Sequence, residues 1–268
     1  MSLPKPARFD DHLALAHSLA DLSGKAVLPY FRRALSIENK GSAQGFDPVT
    51  NADKAAERAI RRHLAKAAPE HGVIGEEFEA SAGAGRFNWI IDPIDGTKAF
   101  IVGSPLWGTL IALMDGSRPV LGVMDQPFTG ERIWSGRRGT YWRIQGGAGR
   151  RVKTRACPEL GAAILTTTSP DMLGPVRNQQ AFQRLKSQVR MTRYGGDCYG
   201  YCLLAAGHVD LVVETGLKGH DVAALIPIIE RAGGRITTWE GNSAEAGGRI
   251  LAAGDPSLHD KVLRILTG

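Results

Sequence analysis

The run Trp89-Ile90-Ile91-Asp92-Pro93-Ile94-Asp95-Gly96-Thr97 places two carboxylates three residues apart at the expected end of a buried strand. A backbone carbonyl lies between them and a Gly-Thr pair follows. Two carboxylates held about 4 Å apart at an effective dielectric near 20 repel by about 4 kcal/mol. A hard divalent cation turns that repulsion into attraction, and Mg²⁺ takes carboxylate, carbonyl and water oxygens. The N–H groups of Gly96 and Thr97 are placed to open a helix, whose N-terminus readily binds phosphate. The same Asp-Pro-x-Asp-Gly is also sound turn chemistry: Pro fixes φ, Asp caps and Gly relieves strain. Only the rest of the chain can choose between metal site and plain turn.

Other acids stand where elements meet. Asp53 follows Asp47-Pro48-Val49-Thr50-Asn51-Ala52 at a helix start, where it is also suited to capping. Glu76 and Glu77 end a short strand and could be no more than an exposed acidic pair. Asp221 opens the apolar stretch Val222-Ala223-Ala224-Leu225-Ile226 and could likewise be a cap. Each bland reading suffices alone, yet every acid sits at an element end, from which loops converge on active sites. Rival chemistries are weaker. The chain has no Gly-x-Ser-x-Gly elbow, no Gly-rich Lys-Ser/Thr phosphate loop and no His-Glu-x-x-His zinc helix. Of the seven histidines, only His220, beside Asp221, falls near the acidic set.

The elements that must position these residues follow from pattern. Leu13, Ala16, Ala20, Val27, Leu28 and Phe31 recur at helical spacing from about residue 8, with an interruption expected near Gly24. A second helix runs from about Asp53 to Ala68, followed by strands at Gly72–Gly75 and Phe87–Ile91. Leu106–Met114, Pro119–Gln126, Glu131–Ser135 and Thr140–Ile144 read as an antiparallel meander. Strands at Ala162–Thr167, Val189–Tyr194 and Val209–Glu214 alternate with helices at Gln179–Ser187 and Cys198–Ala206. A helix at Asp221–Ala232, strands at Arg235–Thr238 and Ile250–Ala253, and a helix after Pro256 close the chain. This alternation implies layered α/β packing. The 268 residues are expected to form one catalytic unit, with sub-regions of about 1–148 and 149–268 dividing near Gly146–Arg151. Gly41–Gly45 is a loop suited to closing over a site.

A net charge of +6 suits an anionic small substrate, and the Arg and Lys residues are dispersed rather than arranged as a nucleic-acid stripe. No apolar run reaches membrane-spanning length, and Met1–Pro6 lacks a signal-peptide core, so a cytoplasmic location is expected. Cys157, Cys198 and Cys202 are an odd set without Cys-x-x-Cys spacing and read as reduced structural thiols.

Taken together, Asp92-Pro93-Ile94-Asp95-Gly96-Thr97, the Asp47–Asp53 segment, Gly75-Glu76-Glu77 and Asp221-Val222-Ala223-Ala224 resemble the inositol monophosphatase family of Mg²⁺-dependent, Li⁺-sensitive phosphomonoesterases. Further motifs resemble its histidinol-phosphate phosphatase branch: Lys98-Ala99-Phe100, Pro105–Leu113, Met124-Asp125-Gln126-Pro127, Gly195–Tyr199 and Ala206–Glu214. The resemblance implies the layered α-β-α-β-α sugar-phosphatase fold, a homodimer, and hydrolysis of L-histidinol phosphate in histidine biosynthesis. One departure is Leu217-Lys218-Gly219-His220, where the branch typically shows Lys-Pro-Tyr before the Asp.

By the same resemblance, Glu76, Asp92 and the Ile94 carbonyl hold one Mg²⁺. Asp92, Asp95 and Asp221 hold a second, and Asp53 with Glu76 supports a third through water. Thr97, oriented by Asp53, and Glu76 steer the attacking water in a direct in-line hydrolysis, while the Gly96 and Thr97 N–H groups hold phosphate oxygens. Glu214 and Asp197 are the residues expected to meet the ammonium and imidazole of histidinol, with Arg193 on the phosphate side; Asp197 could equally be a helix cap. Two alternatives stay open. One is a family phosphatase for inositol phosphates, a sugar bisphosphate or 3′-phosphoadenosine 5′-phosphate. The other is a non-catalytic scaffold binding RNA, which the presence of all five acids disfavours.

Overall fold

The computed structural model describes residues 6–39 and 48–268; Asp47 and the Gly41–Gly45 loop lie outside them. Helix α1 (Pro6–Val27) opens the chain, followed by the paired strands β1 (Ile37–Asn39) and β2 (Pro48–Thr50) and helix α2 (Asn51–Ala67). Strand β3 (Gly72–Gly75) pairs in parallel with β4 (Phe87–Asp95), which leads into the short helix α3 (Thr97–Ile101). Strands β5 (Gly108–Asp115), β6 (Arg118–Gln126), β7 (Glu131–Gly136) and β8 (Gly139–Ile144) form the expected antiparallel meander, and β9 (Arg150–Val152) adds its edge. The seven-stranded sheet runs β3 to β9 in chain order.

The remaining chain builds a second sheet from β10 (Ile164–Thr167), helix α4 (Val176–Lys186), β11 (Met191–Tyr194), helix α5 (Asp197–Ala205) and β12 (Leu211–Lys218). Helices α6 (Gly219–Val222) and α7 (Leu225–Ala232), strands β13 (Arg235–Thr238) and β14 (Gly247–Ala253), and helix α8 (Pro256–Thr267) complete it. The strand order is β11-β10-β12-β14-β13, parallel through the first three and antiparallel at β14.

Strand alternation assigns the layers. Trp89, Ile91, Ile111, Leu121 and Val123 turn one face of the first sheet onto Leu19, Ile60 and Leu64 of α1 and α2. The opposite face, with Leu110, Ala112, Met124 and Ile133, packs on Tyr201, Cys202, Leu225 and Ile229 of α5 and α7. Those helices also cover Val212, Ile250 and Ala252 of the second sheet. Leu165, Leu211, Val213 and Leu251 face outward onto Phe182 and Leu185 of α4 and Leu258 and Val262 of α8. The result is an α-β-α-β-α stack, as the resemblance implied.

Three local expectations are corrected. Helix α1 runs unbroken through Gly24; a Cβ there would lie 2.9 Å from Pro127 Cβ, so the glycine permits close approach rather than a break. Strand β4 does not stop at Ile91. It continues to Asp95 through a register shift against β5 between Asp92 and Asp95, a bulge that re-aims the two acids. The expected Asp221–Ala232 helix is divided into α6 and α7 although Ala223 and Ala224 keep helical dihedrals. Pro227 has no N–H to give the Ala223 carbonyl, so the ladder is interrupted there. All three cysteines are free and buried, as expected. Among the described residues, no helix is long and apolar enough to cross a membrane.

Candidate active site

Asp53 is the third residue of α2, and Thr50 caps that helix. The Thr50 N–H and hydroxyl both donate to Asp53 Oδ2, at 2.8 and 2.6 Å. Asp53 Oδ1 is buried and, among the described residues, has no hydrogen-bond partner. Capping therefore uses one oxygen and leaves the other for a cation or water. Burial pushes the carboxyl up to about 6, with the Glu76 charge adding to the effect.

Glu76 follows β3, and the backbone on either side of it is pinned by Glu57 of α2. The wholly buried Glu57 takes Arg61 Nε on Oε1 at 2.7 Å and the Glu77 N–H on Oε2 at 2.8 Å. It packs so tightly on Gly75 that a Cβ there would fall 1.9 Å from Glu57 Oε1.

The β4 bulge is held from three sides. Ile94 N–H donates to Asp92 Oδ1 at 3.0 Å, and Thr109 Oγ1 donates to the Pro93 carbonyl at 2.8 Å. Thr97 Oγ1 donates to the Ile94 carbonyl at 3.1 Å. This corrects the expected pairing of Thr97 with Asp53: the bulge turns the Ile94 carbonyl toward the hydroxyl, while Asp53 is engaged by Thr50. Asp95 Oδ2 accepts the Cys198 N–H of α5 at 2.7 Å, and Asp221 Oδ2 accepts the Lys218 N–H at 2.6 Å. Helix and strand ends from both sheets thus meet at one point.

Carboxylate oxygens of Asp92, Asp95 and Asp221 lie within 4.8 Å of one another. So do oxygens of Glu76 and Asp92 and a ring nitrogen of His220. Burial raises the Asp92 carboxyl well above the usual range, and Glu76, Asp95, Asp221 and Asp53 raise it further. Burial and Asp221 do the same to Asp95. Such a cluster is destabilising without a counter-charge, and with the orphaned Asp53 oxygen it fits hard divalent cations.

The substrate-side residues separate. Asp197 opens α5 in a left-handed run, with φ of 81° at Gly195, 144° at Gly196 and 44° at Asp197 itself. Its side chain stands where a Cβ on Gly96 would meet it at 3.1 Å, next to the motif. Its N–H donates to Thr168 Oγ1 at 3.2 Å. Burial, then Glu214, pushes its carboxyl up to about 7, against the opposing charge of Lys98. Glu214 is buried with its oxygens engaged: the Thr168 N–H reaches Oε1 and the Tyr201 hydroxyl reaches Oε2, both at 2.9 Å. Arg193 is exposed on the edge strand β11. Thr168 and Tyr201 carried no local signal in the sequence, because Glu214 is distant along the chain from both. Glu57 showed only its helical i,i+4 partner Arg61, and its contact with the Glu77 N–H is non-local.

This acid cluster at the junction of two layered sheets defines a phosphatase of the inositol monophosphatase type. Residues 10–267 match the model of the inositol monophosphatase family, and the chain belongs to that family. It is 41% identical over 268 residues to the chloroplastic bifunctional phosphatase IMPL2 of Arabidopsis thaliana, covering 96% of this chain and 75% of that one. It is 36% identical over 255 residues to the histidinol-phosphatase of Mycobacterium tuberculosis, covering 94% and 96%. The solved inositol monophosphatase from Zymomonas mobilis superposes with a TM-score of 0.85 at 41% identity, covering 97% of this chain and 99% of that one.

Proposed function

We propose that this chain hydrolyses L-histidinol phosphate to L-histidinol and phosphate in a Mg²⁺-dependent reaction. The observation that carries the choice of substrate is Asp197, a carboxylate against Gly96 at the end of the motif, backed by the buried Glu214. A pair of acids there suits a leaving group that carries ammonium and imidazole, and disfavours none of the phosphate chemistry beside it. Relatives named histidinol-phosphatase at 36–37% identity over most of the chain support the same reading.

Glu76, Asp92 and the Ile94 carbonyl would hold one Mg²⁺; Asp92, Asp95 and Asp221 a second; and Asp53 with Glu76 a third through water. A metal held there would supply a water of lowered pKa and a positive charge for the departing alkoxide oxygen. The chain's own residues do the remaining work. Thr97 Oγ1 donates its hydrogen bond to the Ile94 carbonyl and so is left to present lone pairs to a water. Gly96, with φ 85°, turns the chain so that its own and the Thr97 N–H groups can meet phosphate oxygens. Tyr201 and Thr168 hold Glu214 in place, and Thr168 also accepts the Asp197 N–H, so the acidic face is set by buried hydrogen bonds. Glu214 acts on the leaving group through this scaffold, Asp197 by contact. Arg193 belongs to the proposal as an exposed phosphate-side group, and the proposed assembly is a cytoplasmic homodimer.

The test is Mg²⁺-dependent phosphate release from L-histidinol phosphate beside inositol 1-phosphate, fructose 1,6-bisphosphate and 3′-phosphoadenosine 5′-phosphate. A kcat/KM at least about tenfold higher for histidinol phosphate, near 1.4 kcal/mol of transition-state preference, is expected. A flat profile or another winner would refute the substrate assignment.

A further inference from the structure

The His220 departure places an imidazole where the acids converge. His220 lies on the one-turn helix α6, its side chain only 15% exposed. One of its ring nitrogens and the oxygens of Glu76 and Asp92 all lie within 4.8 Å of each other. Donors around a tetrahedral ion with bonds of about 2.1 Å stand about 3.4 Å from one another, so these three need to draw together by no more than about 1.5 Å to share one ion. They come from three separate elements: the end of β3, the β4 bulge and α6. Asp53, near enough for its charge to act on Glu76 and Asp92, has a buried Oδ1 with no hydrogen-bond partner among the described residues.

We propose that His220 supplies a nitrogen ligand to the ion held by Glu76 and Asp92. The position then has a mixed nitrogen–oxygen donor set that shifts its preference from Mg²⁺ toward Zn²⁺. The physical reason is ligand type: carboxylate, carbonyl and water oxygens suit Mg²⁺, whereas imidazole suits Zn²⁺, which binds His and carboxylate together. The neighbouring position of Asp92, Asp95 and Asp221 keeps oxygens only, so the two positions differ in selectivity. This rests on the metal-dependent reading of the site and is independent of the choice of substrate. The competing role is local: His220 Nε2 lies 3.4 Å from Asp221 Oδ1, and an imidazole that only orients Asp221 would support every metal alike.

The deciding experiment is calorimetric titration of the metal-free full chain, without substrate, with ZnCl₂ and separately with MgCl₂. Wild type is compared with His220→Phe and His220→Gln, each checked for an intact fold by its melting transition; Gln keeps a polar group if Phe disturbs the loop. The expected result is a loss of about tenfold or more in Zn²⁺ affinity in both variants, with Mg²⁺ affinity changed less than about threefold. Visible absorption of the Co²⁺-loaded protein should change in the variants as a nitrogen donor is lost. Equal weakening for both metals, or unchanged Zn²⁺ binding, would overturn the proposal and assign His220 to Asp221 alone. A wild-type chain that binds neither metal would overturn the metal reading itself, a separate outcome.

Discussion

Asp92 is the residue on which the acid cluster depends most, and its neutralisation has two opposite consequences. In metal-free protein, Asp92→Asn should raise stability. Asn keeps the Oδ1 acceptor that takes the Ile94 N–H at 3.0 Å, so the bulge is retained and only charge is lost. A pair of ionised carboxylates within 4.8 Å at an effective dielectric near 20 repels by about 3 kcal/mol. Asp92 escapes that repulsion only by holding a proton it would release on unfolding, so the acid is destabilising in either state. At about 2–4 °C per kcal/mol for chains of this size class, the variant should melt roughly 6–12 °C higher in EDTA. In saturating Mg²⁺ the order should reverse, because wild type gains binding free energy that the variant has lost. Thermal unfolding of both proteins in EDTA and in Mg²⁺ checks this. A variant that melts lower than wild type in EDTA would refute the claim that these carboxylates repel one another in the fold.

The same electrostatics sets a pH dependence. Burial raises Asp53 to about 6 and Asp197 to about 7, from 3.8. A carboxyl whose folded pKa is raised binds more protons folded than unfolded, so it destabilises the fold as pH rises from about 4 to 7, with no further loss above that. His17, lowered to about 4 by burial and then Arg132, acts oppositely, losing stability as pH falls from 6.5. The Mg²⁺-minus-EDTA difference in melting temperature cancels the His17 contribution and should grow between pH 5 and about 7; a constant difference would contradict the assignment.

Further expectations concern single residues. Asp95→Asn should lower Mg²⁺-supported turnover by about 10³-fold, the scale on which one preorganised electrostatic group acts; a near-normal rate in a phosphate-release assay would remove Asp95 from the metal set. Tyr201→Phe deletes the hydroxyl that donates to Glu214 Oε2 at 2.9 Å and should mainly raise KM for histidinol phosphate, leaving inositol 1-phosphate little changed. Steady-state kinetics on both esters decide it, and an equal effect on both would refute the acidic-face argument. Glu57→Gln breaks a buried bond to Arg61 and weakens the hold on the Glu77 N–H, so it should destabilise the fold by about 3 kcal/mol and weaken Mg²⁺ binding. Unfolding in denaturant and metal titration measure the two effects.

Much of this site was legible in the chain itself. The spacing of Asp92 and Asp95, the carbonyl between them and the Gly-Thr after them are local covalent facts, and the structure folds them into one bulge at the end of β4. The antiparallel meander and the later alternation of strands and helices were likewise written in apolar period and turn residues, because both are short-range signals. Tertiary structure alone decided the rest. That β4 carries its pairing past Ile91 depends on a partner strand, and that Gly24 serves a close approach to Pro127 rather than a helix break is visible only where the two segments pack. Convergence of Glu76 and His220 on Asp92, and of Asp221 on Asp92 and Asp95, each set within 4.8 Å, joins segments far apart in sequence, and no local spacing encodes such a distance. The supports are non-local as well: Glu57 beneath Gly75 and the Glu77 N–H, Thr109 on the Pro93 carbonyl, Thr168 and Tyr201 on Glu214. Residue type announces which groups can bind a metal or a phosphate; only the packing of two sheets around α5 and α7 brings them close enough to do so.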